Sequence, residues 1–92
     1  MSHNQRLTSH LKRAELALGN MREVQIEKFA ERYYHGDWHE MTISDLQAQL
    51  IQEVGELAQA LRRPWNKEEC IRECADVANY ATIIADVIRQ GK

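Results

Sequence analysis

Proline and glycine are nearly missing from this chain, with one proline and four glycines among 92 residues. A many-stranded protein needs turn residues at short intervals. Their scarcity, with helix formers in the majority, excludes a sheet protein and leaves an all-α class. Cysteine is limited to Cys70 and Cys74, one helical turn apart. Two adjacent side chains on a rigid helix are poorly disposed to bond to each other, and no histidine or further cysteine lies nearby with zinc-ligand spacing, so reduced thiols are expected. A dominant charge sign is also absent: the net charge is −2, with both signs interspersed. That excludes the electrostatic footprint of a nucleic-acid or anionic-membrane binder. No apolar run approaches the ~18 residues of a membrane span, and the first six residues are polar, which predicts a soluble, cytoplasmic protein. A chain of 92 residues is one domain, 1–92, whose lone core is only modestly stabilising, so self-association is expected.

What the chain does have is helical periodicity. Leu11, Leu18, Met21, Phe29 and Tyr33 recur near helical spacing and predict a long, mostly polar first helix from about Leu7 to Tyr34, which Gly19-Asn20 can kink or split. His35-Gly36-Asp37 ends it, and Trp38 to Thr42 forms a connector. Ser44 followed by Gln47 is a capping-box pattern for a second helix, which Pro64 stops at about Arg63. Asn66 followed by Glu69 opens a third helix that runs to about Arg89. A four-residue connection between the last two helices makes them antiparallel neighbours, so the expected fold is an antiparallel helical bundle completed by oligomerisation.

Carboxylates interrupt the apolar stripes of this hairpin. Leu46, Leu50, Leu57 and Ala60 mark the stripe of the second helix, and Glu53 falls inside it with Glu56 three residues on. Val77, Tyr80, Ile83 and Val87 mark the stripe of the third, which begins with Glu73 and Asp76. Residues three apart share a helix face, so each pair aims its oxygens one way. With ~1.5 Å of rise per residue, Glu56 lies ~12 Å before the turn and Asp76 ~15 Å after it, at similar heights on the hairpin. Four semi-buried carboxylates repel one another and lose hydration, and persist only if something cationic compensates them. A divalent metal held by Glu53, Glu56, Glu73 and Asp76 is the simplest such cation, and all-oxygen ligation favours magnesium, or manganese, over iron.

The pattern Glu-x-x-Glu at 53–56, sixteen intervening residues and Glu-x-x-Asp at 73–76 resembles the MazG-like, all-α nucleoside triphosphate pyrophosphohydrolases. The segments Leu50-Ile51-Gln52-Glu53-Val54-Gly55-Glu56-Leu57 and Asp76-Val77-Ala78-Asn79-Tyr80 look like that family's two motifs, and the resemblance extends from about Trp38 to Ile88. Gln52 departs from it, standing where the family often has an additional acid. The resemblance implies a magnesium-dependent house-cleaning enzyme that cleaves a (deoxy)nucleoside triphosphate to the monophosphate and pyrophosphate. It also implies a homodimer or homotetramer, and around Trp38 it leans toward the dCTP-hydrolysing branch.

Within that chemistry a carboxylate not fully committed to metal accepts a proton from water, and Glu53 or Glu56 fills this role. Tyr80, on the face of Asp76, can pack against a base or ribose or be a core tyrosine. Asn79 can bond a sugar or phosphate or point to solvent. Lys67, with Arg63 and Arg72, can reach phosphates or be a solvated surface charge, and Trp38 can stack on a base or pack over the end of the helices. His39 is a further candidate base contact, whereas His3 and His10 read as exposed. Two competing classes remain. A di-iron bundle requires Glu-x-x-His, which is not present at either pair, and a non-enzymatic helical interaction module would pair the acids with basic residues of a partner.

Overall fold

The computed structural model describes residues 2–32, 37–62 and 66–91. They form three α-helices, α1 (His3–Glu31), α2 (Ile43–Ala60) and α3 (Lys67–Arg89), with a single 3-10 turn at Trp38–Glu40. No strand occurs among the described residues, as an all-α class requires.

Local chemistry sets the helix ends. Ser2 and Gln5 exchange side-chain and backbone hydrogen bonds in a reciprocal capping box, so α1 starts four residues before the apolar pattern does. It then runs unbroken through Gly19-Asn20, because one glycine costs only ~1 kcal/mol against the good helix formers around it. The cap of α2 is Thr42, whose hydroxyl accepts the Asp45 N–H at 3.0 Å, and not Ser44. Both residues can cap. Starting at Ile43 adds two residues to the helix, whose Leu46 is fully inside the core. Asn66 caps α3 as expected, with its carbonyl oxygen accepting the Glu69 N–H at 3.1 Å.

α2 and α3 pair antiparallel. Near one end the Cys70 thiol donates to the Ala60 carbonyl, and toward the other Leu46 packs with Tyr80, Ile83 and Val87. This small cluster is the core, flanked by Phe29, Trp38, Met41, Leu50 and Ile84. Both cysteines are free thiols, and burial together with the nearby Glu69 charge pushes the Cys70 thiol up from its ordinary pKa.

α1 lies on α3 and buries no residue completely. Its expected stripe divides in two: Met21 and Phe29 are half-buried, whereas Leu11 and Leu18 are 52% and 70% exposed. The physical reason is length. At ~1.5 Å per residue, the 29 residues of α1 outreach the 23 of the helix they pack on, and its N-terminal part is almost wholly exposed. Tyr33 lies outside the described residues.

Candidate metal centre

Glu53 is completely buried and Asp76 is 3% exposed, both inside the stripes where α2 faces α3. One carboxylate oxygen from each of Glu53, Glu73 and Asp76 lies within 4.8 Å of the other two. The i,i+3 spacing on α3 provides two of these groups, and the antiparallel pairing brings Glu53 to their level. Glu56 is exposed and stands outside that trio, yet its carboxyl is near enough to act on that of Glu53. Three of the four expected ligands therefore converge, and the fourth borders them.

Two cations from α1 complete the cluster. The Arg32 guanidinium donates to Glu53 Oε1 at 2.9 Å and lies 3.2 Å from Asp76 Oδ1, while Lys28 Nζ is 3.3 Å from Asp76 Oδ2. Sequence reasoning passed over both residues. Basic side chains on a mostly polar helix read as solvated, and the one signal was their i,i+4 spacing in the last turn before the connector, which places them on one face. Arg32 also sits 5.9 Å over the Tyr80 ring, packing cation against aromatic face.

The electrostatics follow from this packing. Burial, reinforced by the neighbouring Glu56 carboxyl and opposed by Arg32, lifts Glu53 from 4.5 to about 6. Burial and the charges of Asp76 and Glu56 also raise Glu73, against the pull of Lys28. For Arg32, burial works to lower the pKa, but the hydrogen bond and charge of Glu53 outweigh it and hold the guanidinium above its ordinary value. Two oxygens still have no hydrogen-bond partner although both are buried: Glu53 Oε2 and Glu73 Oε2. Buried unpaired carboxylate oxygens are costly, and hard cations bind such oxygens, so the donor set fits magnesium or manganese.

The proposed substrate contacts are placed differently. Asn79 is fully buried and neither reaches a cleft nor points to solvent: its carbonyl accepts from Gln25 Nε2 at 3.1 Å and its amide donates to the Gln25 backbone carbonyl at 3.2 Å. Tyr80, 1% exposed, is a core tyrosine. Burial raises its hydroxyl pKa, against the pull of Arg32. The Trp38 ring packs 5.8 Å from Phe29, and its indole N–H donates to Asp86 at 3.1 Å. Its position, three turns along α3 from Asp76, is the one expected of packing over the helix ends. His39 shares the same Asp86 oxygen at 2.7 Å. Lys67, at the start of α3, is exposed and lines a cleft of about 390 Å³ with Val24, Glu27 and Arg72. Adjoining the carboxylates, Lys28, Asn66, Arg72 and Glu73 line a second cleft of about 330 Å³. Arg72 forms an ion pair with Glu31. Arg63 lies outside the described residues.

Compared with family models, curated proteins and solved structures, the chain matches none of them. Among the described residues no helix is long and apolar enough to cross a membrane.

Proposed function

We propose that this chain is a magnesium- or manganese-dependent nucleoside triphosphate pyrophosphohydrolase, which cleaves a (deoxy)nucleoside triphosphate to the monophosphate and pyrophosphate in a cytoplasmic house-cleaning role. One observation carries the proposal: three carboxylates from two helices converge, and two of their oxygens are buried without partners. Glu53, Glu73 and Asp76 would hold the ion, with Glu56 at the rim. When bound, the ion supplies positive charge to phosphate oxygens and a more acidic water. Glu53 or Glu56, whichever is not fully committed to the ion, would accept a proton from water. Lys28 and Arg72 on the adjoining cleft, with Lys67 beyond them, are positioned to receive phosphates. The cleavage position rests on the MazG resemblance. A pyrimidine preference rests on Trp38, whose N–H is engaged by Asp86, so the proposal is made for nucleoside triphosphates as a class.

A second reading has its own support. Lys28 and Arg32 already pair the buried acids within the chain, which is what a non-enzymatic helical interaction module would need to hold its first helix in place. A product assay separates the two. With magnesium, the purified chain is expected to release pyrophosphate from at least one member of a nucleotide panel. The Glu53→Gln and Asp76→Asn variants are expected to lose at least ~100-fold in turnover, the scale of one well-placed electrostatic group. Diphosphate plus orthophosphate would refute the cleavage position. Near-normal variants would refute the site, and no turnover with either metal would favour the interaction module.

A further inference from the structure

The carboxylate cluster is already occupied by cations of its own chain, and they take the oxygens an ion would need. Both Asp76 oxygens face a basic group, Oδ1 the Arg32 guanidinium at 3.2 Å and Oδ2 the Lys28 ammonium at 3.3 Å, while Glu53 Oε1 accepts from Arg32 at 2.9 Å. Among the described residues, Glu53 Oε2 and Glu73 Oε2 are left buried without a hydrogen bond. A divalent ion placed among Glu53, Glu73 and Asp76 thus meets two like charges within ion-pair distance of its ligands, and like charges so close repel strongly in a partly buried site. We propose that Lys28 and Arg32 are a built-in counter-cation, which holds the cluster together in the metal-free protein and must withdraw from Asp76 and Glu53 when a divalent ion binds, so that these two residues set the metal affinity.

Three features of the cluster support the exchange. With every group ionised, the four carboxylates of Glu53, Glu56, Glu73 and Asp76 outnumber Lys28 and Arg32, so the chain's own cations leave the cluster short of positive charge. Arg32 follows the last residue of α1 and its side chain is 39% exposed, so it can swing toward water without moving a helix. Lys28 lines the neighbouring 330 Å³ cleft, which gives its ammonium somewhere to go. Arg32 and Lys28 are accordingly positioning residues. The ion-pair geometry is independent of which reaction is catalysed, but the exchange presupposes the metal centre proposed above.

The test uses the full chain, stripped of metal and titrated with Mn²⁺ alone, with free ion followed by electron paramagnetic resonance and no nucleotide present. Arg32→Met and Lys28→Met are each expected to bind Mn²⁺ roughly 5- to 50-fold more tightly than the native chain, the range of a typical coupling between two sites. Arg32→Lys, which keeps the charge, is expected to stay close to native. Without metal, Arg32→Met should melt below the native chain, and Mn²⁺ should raise its melting temperature by more than it raises the native one. If Arg32→Met does not fold, Lys28→Met carries the comparison. Equal or weaker Mn²⁺ binding in these variants would overturn the exchange. Should the native chain meanwhile bind Mn²⁺ and Glu53→Gln lose it, the metal centre itself would stand. Absence of Mn²⁺ binding in every form would overturn both.

Discussion

Glu53 combines the strongest conflict in the molecule with its clearest pH signature. Its side chain is completely buried on a stripe of leucines, a second glutamate stands beside it, and Arg32 only partly offsets these effects, so its pKa rises from 4.5 to about 6. A carboxylate whose folded pKa is raised contributes stability that is full below the unfolded value and lost as pH rises through the folded one. The metal-free protein is therefore expected to lose stability between pH 4.5 and 6, by on the order of 2 kcal/mol from Glu53. Glu73, raised for similar reasons, acts in the same sense. Asp86 does not mask the effect. Its hydrogen bonds from Trp38 and His39 lower its pKa, so its contribution is lost only on acidification below 3.8. Calorimetric melting temperatures in a chelator across this range should slope downward, and Glu53→Gln should flatten the slope. Magnesium should oppose it, because the ion binds the deprotonated ligands. A flat native profile in chelator would contradict the assignment.

At the scale of elements, α1 is held to α3 by polar groups where a larger protein would use a leucine seam. Gln25 and Asn79 exchange two hydrogen bonds at a fully buried position, and one turn further Lys28 and Arg32 reach the acids. Asn79 is thus a clasp between helices. Replacing it by alanine leaves Gln25 facing the apolar surroundings without its partner, and is expected to destabilise the fold by about 1–3 kcal/mol. Urea unfolding measures this directly. A variant of native stability that had lost only nucleotide turnover would instead return Asn79 to the substrate-contact role. The 3-10 turn is tied to α3 in a similar way, since Trp38 and His39 both meet one oxygen of Asp86.

The molecule as a whole is extended. Its radius of gyration is 15.9 Å, against the ~12 Å that chain-length scaling gives for a compact domain of this size. Its longest dimension is 49 Å. Leu7, Leu11, Leu16, Leu18 and Ile26 of α1 are each 48–70% exposed, and Ile51 and Val54 of α2 are exposed as well. So much apolar surface on so small a chain is characteristic of a surface that meets a partner. We expect a homodimer or homotetramer, and sedimentation at micromolar concentration should show it. The paired change Leu11→Asp and Leu18→Asp should shift the protein toward monomer with its helical circular dichroism retained. A native chain that sediments as a monomer would refute self-association.

The sequence by itself determined the three helices and named four carboxylates, of which Glu53, Glu73 and Asp76 converge and Glu56 stands outside. Both are local or nearly so: Asn66 and Glu69 write the start of α3, the leucine spacing writes the inner face of α2, and a short connection forces the hairpin that brings Glu53 to Asp76. The α2 cap was open to two answers because Thr42 and Ser44 are both competent, and burial of Leu46 accompanies the longer helix. What only the tertiary structure decided is where α1 lies. No periodicity within a mostly polar helix specifies which distant face it meets, so nothing singled out Lys28 and Arg32 until α1 lay on α3 and carried them to Asp76 and Glu53. For the same reason Tyr80 and Trp38, each open to two readings, lie in the core and against Phe29 and Asp86, and Asn79 meets Gln25, which neither of its readings named. A polar side chain on a buried stripe must find a partner, and its identity is fixed by residues 48 to 54 positions away in the chain, through contacts that no local pattern records.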